Sequence, residues 1–202
     1  MQAYEKMSDQ DAEFCEKIWL HQRDEVINSV EQLNDLGLHK QIVNRLLEPW
    51  MWTTVISTGP IRAWNHLFNL RCAADAEPHF QKIANMAKEE IQKSTPENLF
   101  LTDWHLPLVD MEGDDELRLA DKIKVSVGRC ARVSYLTFDG VRSYEKDIEL
   151  HDFLTENNHW TPTEHQALPF PQKYLGEINN QGGILGKYWI QYRKTFKNEY
   201  SK

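Results

Sequence analysis

Leu38 to Gln81, LHKQIVNRLLEPWMWTTVISTGPIRAWNHLFNLRCAADAEPHFQ, is the stretch that most constrains the fold. It holds three spaced arginines (Arg45, Arg62 and Arg71), a β-branched run at 53–57 (TTVIS), and a Gly59-Pro60 turn. Proline has a preset φ and no N–H to satisfy, so this turn can launch a helix. The helix, IRAWNHLFNLRC, sets Ile61, Trp64, Leu67 and Phe68 on one face, while TTVIS reads as a strand. A guanidinium offers five donors in a fixed fork and suits phosphate or a polarised carbonyl. Arg62 and Arg71 share the helix and are expected within about 100° of each other around its axis. Their segment is apolar enough for burial, and a buried arginine needs an anionic partner. The plain alternative is a set of solvated helix arginines. Otherwise the stretch reads as half of a binding site for something anionic and planar.

The chain around it divides by texture. Ser8 with Asp11 marks a helix start, and Cys15, Ile18, Trp19, Val26, Val30 and Leu33 continue an amphipathic helix to Leu36, with Gly37 to end it. A shorter helix is expected over His39–Leu47, stopping before Pro49. Asp75 is expected to cap a helix with Pro78 in its first turn and Phe80, Ile83, Ala84, Ala87 and Ile91 inward. Residues 95–120 are extended, then acidic. KVSVGRCARVSY (124–135) fits strand or helix, with helix favoured in the middle. SYEKDIELHDFLTEN reads as a helix with Ile148, Leu150 or His151, and Leu154 inward; HWTPTEHQALPFP is a proline-pinned loop. The tail begins glycine-rich and ends basic and aromatic. These elements predict one α+β domain over 1–202: a helical half at about 8–95, a loop at about 95–120, and a second half at about 121–202.

A net charge of −8 argues against a general nucleic-acid or membrane-surface binder, so an anionic ligand must be met by local arginines. No run approaches the roughly 18 apolar residues of a membrane span, and the polar, acidic start is not a secretory signal. Three widely spaced cysteines (Cys15, Cys72, Cys130) suit free thiols in a reducing compartment. The expected location is the cytoplasm. His159, Glu164 and His165 could suggest a metal, but a third ligand at proper spacing is missing, and none is expected. The bland reading of HWTPTEH is a pinned loop; the functional one is a loop presenting hydroxyl, carboxylate and imidazole to a ligand. ARVSY (131–135) and Asp103, Trp104 and His105 are weak alone, with packing the better reading. No nucleophile-elbow, P-loop or dinucleotide-binding glycine motif is present.

Taken together, VNRLLEP, TGPIRAWNHLFNLR, DAEPHFQKIA, CARVSY and HWTPTEH resemble segments of the flavin-dependent thymidylate synthases, the ThyX family. The resemblance covers roughly residues 38–90 and 125–170. In most of the family the A-R-V-S and H-x-[ST]-P-F-E-H pieces precede the arginine segments. Here they follow, as in a phage-type branch, so the order looks circularly permuted. The family's R-H-R-x-x-S signature is missing from the front of the chain. The terminal QYRKTFKNEYS is faintly similar to it through Arg193, Asn198, Glu199 and Ser201. The chain is therefore expected to be a piece of a split enzyme, a truncated product or a remnant.

What the resemblance implies is reductive methylation of dUMP to dTMP, with methylenetetrahydrofolate supplying carbon, NADPH reducing FAD, and FAD carrying hydride. Arg71 would contact the uracil ring and favour its ionisation; Arg45 would hold the nucleotide. Arg62 and His66 would line the FAD site, with Pro60 in place of the usual asparagine. Thr161 and Glu164 would touch FAD and His159 would sit beside the flavin and folate, while His165 would be structural. The fold implied is a helical part packed on a small mixed or antiparallel sheet. The assembly implied is a homotetramer in the cytoplasm (the host's, if phage-encoded), with a companion chain carrying the missing signature. The alternatives are a non-catalytic nucleotide- or flavin-binding remnant and a structural oligomer subunit of the same fold.

Overall fold

The computed structural model describes residues 5–109, 116–133, 143–170, 185–186 and 188–199. Ser134 and Tyr135, most of the acidic loop, most of the glycine-rich tail and Ser201 lie outside them. By its contacts the chain forms two compact units, Met1–Thr53 and Thr54–Lys202, and each is described by itself.

In the first unit, helix α1 runs Asp9–Asp35, and the Ser8 hydroxyl accepts from Asp11 N–H at 3.1 Å as the start pattern predicts. Gly37, at φ +82°, ends it in a conformation that a side chain would resist. Helix α2 is only Lys40–Val43; a 3₁₀ helix over Asn44–Trp50 completes the expected second helix and carries Pro49 inside it. Packing on α1 places the Trp19 and Trp50 rings 5.5 Å apart. The α1 stripe is thinner than its periodicity suggests: Val30 is buried, whereas Cys15, Ile18 and Trp19 are exposed.

The β-branched run at 53–57 forms no strand, and Val55, in the second unit, is 73% exposed. Strand propensity reports fit to a neighbouring strand, and none of the described residues pairs with this run. Helix α3 spans Ile61–Arg71 and helix α4 Pro78–Lys93. The cap of α4 is Glu77 rather than Asp75: its carboxylate accepts from His79 N–H at 3.1 Å and Phe80 N–H at 2.8 Å. The Phe80 N–H foremost, with the His79 side chain, holds that carboxyl down to about 2. On α4, Ala84 is buried while Phe80 and Ile83 face outward, so its inner stripe is narrower than predicted.

Of the ambiguous 124–135 run, residues 124–131 are helical, within α5 (Leu119–Ala131); α6 covers Tyr144–Glu156. The two pack backbone to backbone at Gly128, where a Cβ would lie 2.4 Å from the Asp147 carbonyl oxygen. Asp147 is fully buried there and is paired with Arg129 at 3.3 Å and with Arg132. The innermost α6 residues are thus Asp147 and His151, not the aliphatic set.

After a 3₁₀ turn at Thr161–Glu164, β1 (Ala167–Pro169) pairs antiparallel with β2 (Trp189–Gln191), Leu168 opposite Ile190. His105 bridges to Ala167 as well. Helices with one small antiparallel sheet agree with an α+β class.

Candidate functional site

The arginine helix does not bury its cations. Arg62, His66 and Arg71 are all exposed, so the expected buried arginine with an obligatory anionic partner is not what α3 builds. The expected angular spacing fails as well. Nine residues make about two and a half turns, so Arg62 and Arg71 leave opposite sides of α3, about 14 Å apart along its axis. Their surroundings agree. The Arg71 guanidinium lies over the Phe80 ring of α4, 5.3 Å from its centre, a contact that steadies it without neutralising it. The Arg62 guanidinium instead lies against Gly186, whose backbone is at φ +79° and where a Cβ would meet Nη2 at 3.0 Å. Arg45 is exposed on the 3₁₀ helix of the first unit.

At the Arg62 end, Thr58 Oγ1 and His165 Nδ1 are 3.0 Å apart. That bond ties the segment entering α3 to the HWTPTEH loop. Burial lowers the His165 pKa and so favours the neutral ring, with Glu164 opposing and His105 pressing the same way.

The loop itself is tightly built. Proline inside TPTE and the Thr163 hydroxyl, which donates to Trp160 O at 2.6 Å, close the 3₁₀ turn. Thr161 and His159 are exposed at its edge, and the His159 N–H donates to Leu154 O at 2.8 Å. The Glu164 carboxylate is already paired with Arg193.

The terminal QYRKTFKNE is the neighbour that residue reading undervalued. Gln191 Nε2 donates to Glu164 O at 2.8 Å, Asn198 Nδ2 to Asn158 Oδ1 at 3.0 Å, and Phe196 packs on Trp160 at 5.2 Å. Arg193 Nη2 also donates to Glu199 O at 3.1 Å, so the segment folds on itself around the guanidinium. Its faint likeness to the family signature was the only sequence clue, because 27 residues separate Gln191 from Glu164.

The structure therefore joins Arg62, the HWTPTEH loop and the terminal segment around one end of α3. It leaves Arg71 at the other end, beside α4. Exposed guanidinium, imidazole and hydroxyl groups at the first location can meet an anionic ligand; Glu164, held by Arg193, is engaged already. Among the described residues no three His, Cys, Asp or Glu side chains converge on a metal position, and no helix is long and apolar enough to cross a membrane.

No curated protein and no solved structure matches the chain. A family model does: that of the thymidylate synthase complementing protein, over residues 2–97, which include α1 to α4 and all three arginines. Over that stretch, somewhat under half of its length, the chain is similar to the thymidylate synthase complementing protein family, ThyX.

Proposed function

We propose that the chain works as a flavin-dependent thymidylate synthase, converting dUMP to dTMP with methylenetetrahydrofolate as carbon donor and NADPH as reductant. The observation that carries this reading is the Thr58–His165 contact, which joins the family-matched segment to the HWTPTEH loop outside the match.

FAD is the cofactor this family generally uses. The residues present fit it in kind. Arg62 is exposed, and its guanidinium lies beside Gly186. The α3 N-terminus has no side-chain cap; Ala63 N–H donates to Pro60 O at 2.8 Å, and the N–H groups of Ile61 and Arg62 are the ones that would meet an anion. Arg62, His66, Thr161 and His159 would hold the cofactor, and Glu164 would act through its pair with Arg193. When bound, FAD supplies the hydride for the methylation. Arg71 would hold the uracil and stabilise negative charge on its ring, and Arg45 would meet the phosphate. A guanidinium stays charged at any working pH, so neither role depends on titration.

Because Arg62 and Arg71 face opposite ways, a single copy does not aim both at one ligand. A homotetramer whose sites are shared between copies removes that difficulty, and the exposed helix faces suit it. The terminal QYRKTFKNE, packed on the HWTPTEH loop, takes the place of the family signature in this reading. Completion by a companion polypeptide is the competing arrangement. The proposed setting is the cytoplasm.

The test is a visible spectrum of the purified chain after incubation with FAD and desalting, with and without dUMP. Retained flavin whose spectrum shifts on adding dUMP is expected, followed by NADPH oxidation. Arg71→Ala should abolish the dUMP-dependent shift. Flavin retained without turnover favours the non-catalytic binding reading. Flavin recovered only when a signature-bearing fragment is added favours the split enzyme. No flavin under either condition leaves the structural-subunit reading.

A further inference from the structure

An open cleft of about 1240 Å³ lies in the second unit between residues 96–109, the start of α5 and the ends of β1 and β2. None of the arginine, histidine or loop residues assigned above lines it. Its walls carry Trp104, His105, Phe170 and Trp189, and Glu97 and Asp103 bring two carboxylates to it. Such a volume exceeds the roughly 300–1,000 Å³ of ordinary small-molecule pockets, so one ring system would leave room for substituents.

The wall is held in place by more than packing. His105 exchanges two backbone hydrogen bonds with Ala167, at 2.8 and 3.2 Å, and its ring meets Trp189 edge-on at 6.5 Å. Beyond it Leu108 adopts φ +64°, a left-handed conformation that a β-carbon-bearing residue resists. Two α5 side chains keep that turn in place: Ser126 Oγ donates to Pro107 O at 2.7 Å, and Arg129 Nη1 donates to Leu108 O at 2.8 Å. Asp103 is fixed too, accepting from Phe100 N–H at 3.0 Å. Strain sustained by buried donors, next to an aromatic cleft, is the pattern of a preorganised ligand wall.

The chemistry selects the ligand class. Aromatic faces stack flat rings, and carboxylates accept hydrogen bonds from ring N–H and amino groups. Among the described lining residues Lys122 is the one lysine or arginine, set against two carboxylates, which disfavours a phosphate-bearing ligand. We propose that this cleft is a second binding site, separate from the arginine-bearing helix, for a flat amino-substituted heteroaromatic ring without phosphate.

The test titrates the full chain into 2-aminopurine and follows the probe's fluorescence, which stacking quenches. Saturable quenching is expected. Trp189→Leu should weaken it about tenfold by removing a stacking face. Glu97→Gln, a change at an exposed position that leaves the melting curve in place, should weaken it about fivefold. Should Trp189→Leu fail to fold, Glu97→Gln decides. Quenching that never saturates, or that Glu97→Gln leaves untouched, overturns the proposal. Displacement of the probe by FAD or dUMP also overturns it, since the cleft would then be part of the flavin site. The outcome is independent of flavin retention, so this proposal and the enzyme reading can fail separately.

Discussion

Helices α3 and α5 are similar in length, eleven and thirteen residues, and opposite in what they bury. α5 encloses Ile123, Val125, Val127 and Cys130 together with the polar Ser126 and Arg129, while α3 encloses Phe68 alone. Ile61 on α3 is 61% exposed, and Ile83 on the neighbouring α4 is 62% exposed. The difference comes from backbone approach. Gly128 lets α5 touch the α6 main chain, and the buried Asp147 then draws two arginines into the seam. The α3–α4 pair has no such contact point and keeps apolar side chains outward. The helix that carries Arg62 and Arg71, proposed for cofactor and uracil, is therefore the loosely enclosed one, and the helix outside the family match is the tightly packed one. A scaffold of that kind separates stability from ligand contact: changes at the α5–α6 seam should cost folding, and changes on α3–α4 should cost binding or assembly.

The largest effect expected of that contrast is at the seam. Asp147→Ala leaves Arg129 and Arg132 without their shared partner and should cost about 3–5 kcal/mol in urea unfolding. A loss below about 1 kcal/mol would mean that the seam is not the stabilising centre.

Acid should act on the same side with smaller effect. Burial lowers the His151 pKa against an opposing Asp152, with the nearby Lys124 adding to the fall. Its Nε2 meets Tyr192 Oη at 3.1 Å. His165 is lowered in the same sense. Since the folded values lie below the ordinary 6.5, the unfolded chain takes up protons first. The stabilisation is complete above that ordinary value and declines as the pH falls towards the folded values. Urea midpoints should therefore drop between about pH 7.5 and about pH 5.5. A midpoint that rises on acidification contradicts neutral burial of these rings.

The smallest effect belongs to the open face. Ile83→Ser should change the stability of an isolated chain by no more than about 0.5 kcal/mol. A larger loss that depends on protein concentration in sedimentation and melting experiments would show that another copy covers α3–α4, and would convert the contrast into an assembly interface.

Much of the local structure was legible because it depends on neighbours in sequence. Ser8 caps α1, Gly37 ends it, and Pro60 and Pro78 mark the starts of α3 and α4, all through backbone groups within a few residues. The failures are of two kinds, missing tertiary partners and a local competition between neighbouring acids. TTVIS has strand chemistry without a strand to join, Glu77 outcompetes Asp75 for the α4 cap by lying next to the orphan N–H groups, and Ile83 sits on a correct stripe that nothing described covers. Asp147 went unnoticed because a single acidic residue in a helix gives no sign of two arginines reaching it from α5.

The site followed the same division. Residue types marked the arginine segment and the HWTPTEH loop as candidates, since donor chemistry and prolines are properties of the chain itself, and only the family resemblance gave them roles. Which way each arginine points, and which segments meet, was decided in three dimensions. Thr58 and His165 are 107 positions apart, and no local periodicity encodes a 3.0 Å bond over that separation. Only packing brings the terminal Arg193 to Glu164 and the Trp189 ring to His105, because those contacts form when the α5–α6 seam and the β1–β2 pair set distant segments side by side.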